Sequence, residues 1–180
     1  MDINKVKKQW QGLTTAIEEV DYAVSGYDYN LSLERDKVRD LAVLMLDEGF
    51  YLVGLMAVHV APAIEMVYQF AYHESRCRVM ARTSVDENGE IATISDIFQG
   101  ANWHEREVRD LHGVVFIDHP YLHPLILAEE DVDLKPLLKA EGKVKNVDAI
   151  RRKPPEPAPE PKPKVVPEVK PEATKNQEQS

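Results

Sequence analysis

Three strand-length apolar runs follow one another in this chain, and the connections between them restrict the fold more than any other feature. Residues 50–60 (FYLVGLMAVHV) are almost continuously apolar, as in a strand buried on both faces. Residues 63–73 alternate around Ile64, Met66, Val67, Tyr68 and Phe70, and residues 76–85 repeat the pattern. Ala61-Pro62 and His73-Glu74-Ser75 are too short for a crossover, so the three strands are expected to be antiparallel neighbours.

Helices are read on either side of this meander. Ile3, Val6, Trp10, Leu13, Ile17 and Val20 step by three and four, which predicts an amphipathic helix over 3–20 with Asp2 as its cap. The Tyr-rich, alternating stretch 21–33 suggests a strand or two around Gly26. Residues 34–47 read as a second helix, with Val38, Leu41, Ala42, Met45 and Leu46 inward and Gly49 ending it. Asp86-Glu87-Asn88-Gly89 marks a turn, 90–94 re-enters the fold, 114–117 is a last strand, and 134–141 is a short helix at best. The expected class is α+β, a two-layer sandwich with helices packed on a mostly antiparallel sheet.

Proline sets the boundary of this domain. Eight of the twelve prolines fall between Pro154 and Pro171, which divides the chain into a domain over 1–150 and a Pro/Glu/Lys-rich tail over 151–180. The tail has too few large apolar residues to offset its ordering entropy, so it is read as disordered: a tether, a partner-binding arm or an inert extension. It carries seven Lys/Arg and five Asp/Glu, a balance of +2, so a net charge of −9 leaves −11 on residues 1–150. So acidic a domain is a poor nucleic-acid binder. The lone Cys77 excludes an internal disulfide and reads as a small buried hydrophobe. The longest apolar run falls short of the ~20 residues a membrane span needs, and no signal peptide opens the chain, so a cytoplasmic location is expected.

Residues 95–127 hold the densest punctuation. Gly100 precedes a short helix for which Asn102 is the expected N-cap and Glu105 the capping-box acid, and Gly113 is the expected left-handed stop. Glu105, Arg106, Glu107, Arg109 and Asp110 put five charges in six positions, with Glu105–Arg109 and Arg106–Asp110 at i,i+4 spacing. Trp103, Val108 and Leu111 supply a narrow apolar contact, so the helix is either a solvated face or one side of a polar interface.

Catalytic patterns are missing from the sequence. It has no phosphate-binding Gly-rich loop, no CxxC pair and no serine-nucleophile motif. His119 and His123 are four apart, but Pro120 and Pro124 forbid the regular helix that would align them on a metal. Glu105 and Glu107 diverge on a helix, and neighbouring arginines are expected to keep both ionised. No catalytic, cofactor-binding or metal-ligating residue is therefore assigned.

The run from Trp103 to His119, with EREVRDLHGVVFIDHP at its centre, resembles the signature of the thirty-kilodalton subunit of respiratory complex I and of its homologues in membrane-bound [NiFe] hydrogenases. The matching positions are Trp103, Glu105, Arg106, Glu107, Asp110, Leu111, Gly113, Phe116, His119, Pro120 and Leu122, after a lead-in at SDIFQGANW. The likeness extends more loosely over 34–127. His112 stands where the family has an aromatic residue, and Leu134-Lys135-Pro136-Leu137 only faintly echoes the segment that follows in quinone-reductase members. These departures lean toward the hydrogenase-type or ferredoxin-linked branch.

The resemblance implies a non-catalytic hydrophilic subunit of an ion-pumping, membrane-bound oxidoreductase that binds no cofactor itself. Its partners would be a hydrogenase-like large subunit and a neighbouring iron–sulfur subunit, which hold the NiFe and iron–sulfur centres, and it would meet the cytoplasmic face of the membrane only through them. The implied subunit interface is Trp103, Glu105, Arg106, Glu107, Asp110, His119 and Pro120. The C-type subunit of an NADH:quinone oxidoreductase is the nearer alternative. A metal-dependent enzyme using the histidine cluster, or an adaptor working through the Pro-rich tail, are alternatives of other classes.

Overall fold

In a computed structural model the described residues are 2–86, 89–140 and 143–146. The meander forms as its short connections require. β3 (Phe50–Val60) pairs antiparallel with β4 (Ala63–Tyr72), and β4 pairs antiparallel with β5 (Arg78–Val85). Two short strands complete the sheet: β1 (Ala16–Glu19) runs antiparallel to β2 (Tyr29–Ser32), and β2 runs parallel to β5. The order β1-β2-β5-β4-β3 puts β4 inside the sheet and β3 at its edge.

That order corrects the expectation for residues 50–60. Tyr51, Val53 and Met56 of β3 are exposed, whereas nearly every residue of β4 is buried. An apolar run reports that both faces of a strand tolerate burial, but it carries no information about which strand takes the edge.

Period two assigns the sheet faces. Ile64, Met66, Tyr68 and Phe70 of β4 lie opposite Val85, Thr83, Ala81 and Val79 of β5, and all eight are buried. This face carries the core: Phe70 packs against Phe98 and Trp10 lies edge-on to Phe50, which ties the helices to it. The observed architecture is α+β, with helices on a mostly antiparallel sheet.

α1 (Ile3–Gln11) is capped by the Asp2 carboxylate, as its sequence predicts, but stops at Gln11. Gly12 follows, and Leu13 and Thr14 donate backbone N–H groups to the Trp10 carbonyl, closing the last turn. Ile17, expected on the helix, lies instead in β1 opposite Leu31. It reaches the same core by a different route, because a strand residue and a helix residue can satisfy one apolar periodicity. The Tyr-rich stretch gives a single helical turn, α2 (Tyr22–Ser25), then Gly26 at φ 78° and β2.

After a 3-10 turn at Arg35–Lys37, α3 (Val38–Asp47) buries Val38, Leu41, Ala42 and Met45, but Leu46 faces out. Gly49, at φ 84°, ends the turn as expected. β6 (Glu90–Ala92) and β7 (Val115–Ile117) pair parallel in a separate two-stranded sheet. Between them runs α4 (Ala101–His112), which Gly113 stops at φ 78°. No helix forms over 134–140; the acidic connector instead makes a 3-10 turn at Glu129–Asp131. The Pro-rich tail and the central residues of the 86–89 turn lie outside the described residues.

Leu31 is fully buried where β2 meets the core, so Leu31→Ala should cost about 2–5 kcal/mol. Urea denaturation should report this as a lower midpoint at unchanged slope.

Candidate functional site

α4 carries the charge cluster, and its inward face is set by Ala101, Glu105, Val108 and His112, spaced by four, three and four. A carboxylic acid thus occupies a core position. The expected capping box does not form: the N-cap is Gly100, with no side-chain cap, and the first N–H groups bond back to Phe98 and Gln99 carbonyls. Glu105 turns the other way, accepting from the Ile94 backbone N–H at 2.8 Å and from the Thr93 hydroxyl, which itself pairs with Ser95. Burial pushes the Glu105 carboxyl up to about 7, partly offset by the Thr93 and Ile94 hydrogen bonds. Burial thus works against the ionised form that neighbouring arginines are expected to hold.

Those arginines are engaged elsewhere, and neither i,i+4 pair is formed. Arg106 donates to the His123 and Pro124 carbonyls at 2.9 Å each, and its guanidinium lies 5.2 Å from the Tyr121 ring centre. Arg109 contacts Asp110 at 3.1 Å. One oxygen of Asp110 accepts the backbone N–H groups of Leu125, Ile126 and Leu127 at 2.7, 2.9 and 3.3 Å. Burial alone would raise the Asp110 carboxyl; the Ile126 and Leu125 N–H groups, the Arg109 side chain and the Leu127 N–H outweigh it and hold the group below its usual range.

The corner after β7 is shaped by the same helix. Asp118 turns the chain at φ 63°, and His119 tucks under α4 with its side chain fully enclosed. His119 Nδ1 accepts the Tyr121 N–H at 3.1 Å. The proton therefore sits on Nε2, which lies 3.3 Å from the Asn102 carbonyl and 3.8 Å from Glu105. Burial holds the imidazole below its ordinary value.

The seven expected interface residues thus divide. Glu105 and Asp110 are fully buried within the domain and offer no surface to a partner, a correction that follows from their place on the helix faces packed inside. His119 is enclosed, and Arg106 is a tether of the corner. Trp103 is 68% exposed, Pro120 also faces out and Glu107 is half-buried. The exposed rings of Tyr121 and His123 join them, with centres 4.3 Å apart. Sequence reasoning missed Thr93, Ser95 and the N–H groups of 125–127. The first two carry a faint signal, as hydroxyls beside an apolar strand; the last are backbone atoms and carry none. The His123 ring lies against Tyr121, and among the described residues no three His, Cys, Asp or Glu side chains converge as metal ligands would. Cys77 is buried, and burial raises its thiol to about 11.

Comparison with known proteins places this geometry. The family model for the 30 kDa subunit of the respiratory-chain NADH dehydrogenase matches residues 31–145, a wider span than the 34–127 resemblance. The C subunit of the NADH-quinone oxidoreductase of Roseiflexus sp. (strain RS-1) is 38% identical over 111 residues, covering 57% of this chain and 64% of the relative. The mitochondrial NADH-ubiquinone oxidoreductase 30.4 kDa subunit of Neurospora crassa is 39% identical over 75 residues, covering 42% of this chain and 26% of its own. The chain therefore spans less than two thirds of the length of these relatives. A chain in the structure of the membrane-bound sulfane sulfur reductase, an archaeal respiratory membrane complex, superposes with a TM-score of 0.62 at 25% identity, covering 76% of this chain and 83% of that one.

Asp110→Asn should cost about 2–4 kcal/mol, because the amide loses the charge that makes three N–H bonds and the Arg109 contact strong. The Asp110 carboxyl titrates lower in the folded chain than in the unfolded one. Its contribution is complete above the unfolded value near 3.8 and is lost as pH falls through the folded one. Melting curves of wild type and variant should therefore lie well apart at neutral pH and converge in acid.

Proposed function

The chain belongs to the 30 kDa subunit family of the respiratory-chain NADH dehydrogenase, and on that premise we propose that it is a non-catalytic hydrophilic assembly subunit of a complex-I-related, ion-pumping membrane oxidoreductase. Its partners in this reading are the large subunit and the neighbouring iron–sulfur subunit, which carry the redox centres; this chain contributes none. It joins the cytoplasmic face of the membrane through them. Among the described residues no helix is long and apolar enough to cross a membrane.

The observation that carries this reading is how the signature's charges are used. Glu105, Asp110 and Arg106 are spent inside the domain, fixing a corner on which Pro120 and Tyr121 stand exposed beside α4, which carries the exposed Trp103 and the half-buried Glu107. A large aromatic side chain on a rigid support has the character of an interface anchor, since little ordering entropy remains to be lost on docking. The membrane-bound hydrogenase or ferredoxin-linked type is favoured by the fold likeness to the sulfane sulfur reductase chain, most of whose length is matched. The quinone-reductase alternative is favoured by the 38% identity to the Roseiflexus protein. Isolating the complex from native membranes and identifying its chains separates the two. A large subunit that retains thiolate ligands for a [NiFe] centre supports the first, and one that lacks them supports the second.

Trp103→Ala should leave the melting curve of the isolated chain nearly unchanged while weakening capture of the large subunit by about 2–4 kcal/mol, roughly thirty- to a thousandfold. Undiminished capture would remove Trp103 from the interface. Arg106→Ala should lower both, because its side chain holds the corner.

A further inference from the structure

We propose that Glu105 is a proton-holding group whose ionisation is transmitted through His119 to the corner that carries Pro120 and Tyr121. The proposal goes beyond the assembly role and rests on the geometry of this chain alone.

The Glu105 carboxyl is enclosed on all sides, with one oxygen on the Ile94 N–H and the other on the Thr93 hydroxyl. Among the described residues no cationic side chain forms an ion pair with it apart from the His119 approach. Arg39, from α3, is turned to the Asp96 carboxylate and the Thr93 carbonyl, while Arg106 and Arg109, on its own helix, are turned to the corner carbonyls and to Asp110. Arg39 favours the charged form of Glu105 from a distance, and the Asp96 carboxylate that Arg39 holds opposes it. Asp118, like Asp96, adds negative charge that acts on Arg39. From β4 the Tyr68 phenol faces the same site, its hydroxyl buried without a hydrogen-bond partner among the described residues, and burial and Glu105 both push it upward. A carboxyl so enclosed and unpaired keeps its proton well above the ordinary carboxylate range. Its value of about 7 agrees.

His119 is the route outward. Its Nε2 lies 3.8 Å from Glu105 and 3.3 Å from the Asn102 carbonyl, while its Nδ1 receives the Tyr121 N–H. When the Glu105 O–H bond breaks and its proton passes to water, the new charge competes with the Asn102 carbonyl for the Nε2 hydrogen. The ring then shifts, and the Tyr121 N–H bonded to its other nitrogen shifts with it. The folded-state value lies above the unfolded one, so stability from this group is complete below about 4.5 and is lost as pH rises through about 7. His112, buried and lowered to about 4, titrates in the opposite sense, which makes comparison with a variant necessary.

Amide resonances of Ile94 and Tyr121 in the full chain, followed from pH ~5 to ~9, test this. In wild type both should move with one midpoint near neutrality, and Glu105→Gln should abolish that inflection at both. His119→Gln should leave Ile94 titrating while Tyr121 falls silent in this range, which keeps the test decisive if Glu105→Gln fails to fold. Inflections that persist in Glu105→Gln, an Ile94 that does not titrate, or a Tyr121 that stays still in wild type while Ile94 moves would each overturn the proposal.

Discussion

A buried carboxylate with little solvent must be surrounded by donors, and Asp110 meets that requirement by gathering three successive backbone N–H groups onto one oxygen. Three N–H groups in a row point the same way only if the chain curls tightly around the acceptor. The carboxylate therefore dictates the path of residues 125–127, and Arg106, one helical turn earlier on α4, fixes the two carbonyls just before them. Gly113 and Asp118, both at positive φ, let the chain leave α4 and return beneath it. These bonds, with those of His119 to Asn102 and Tyr121, hold the corner in place.

The helix that supplies them is anchored by a second acid that its surroundings push in the opposite direction. Asp110 is held ionised by N–H donors and an arginine, while Glu105, one turn and a half before it, sits in the core near Tyr68, Thr93 and His119 and is pushed toward its neutral form. The difference comes from surroundings: Asp110 has donors enough to replace its lost water, whereas among the described residues Glu105 has only the Ile94 N–H and the Thr93 hydroxyl. Glu105 also joins α4 to the segment after β6, where Arg39 clamps Asp96 from α3. One helix thus links the small β6–β7 sheet, the main sheet and the corner.

For the proposed assembly role, this division of labour matters. Polar groups spent internally cannot be lost to water when the chain is free, so the surface proposed for docking is already shaped in the isolated domain. The aromatic residues left outside, Trp103 and Tyr121, bring contact area without long flexible side chains.

Much of the fold was legible in the sequence: the antiparallel meander from the brevity of its connections, the inward face of α3 save Leu46, the Asp2 cap, and the stops at Gly49 and Gly113. These are local properties, fixed by period, cap chemistry and the permitted φ of glycine. The signature pointed to the family for the same reason, as a spaced pattern within one short stretch. What the sequence did not settle was which strand stands at the sheet edge, where α1 yields to β1, and which way each charge of α4 points. Five charges on a short helix read identically whether they face water, a partner or the chain's own backbone. Only the tertiary structure, by placing Thr93, Ile94 and the amides of 125–127 around them, decided that Glu105 and Asp110 face inward. The atoms that satisfy them are mostly main-chain groups, common to every residue and invisible in a string of side-chain names.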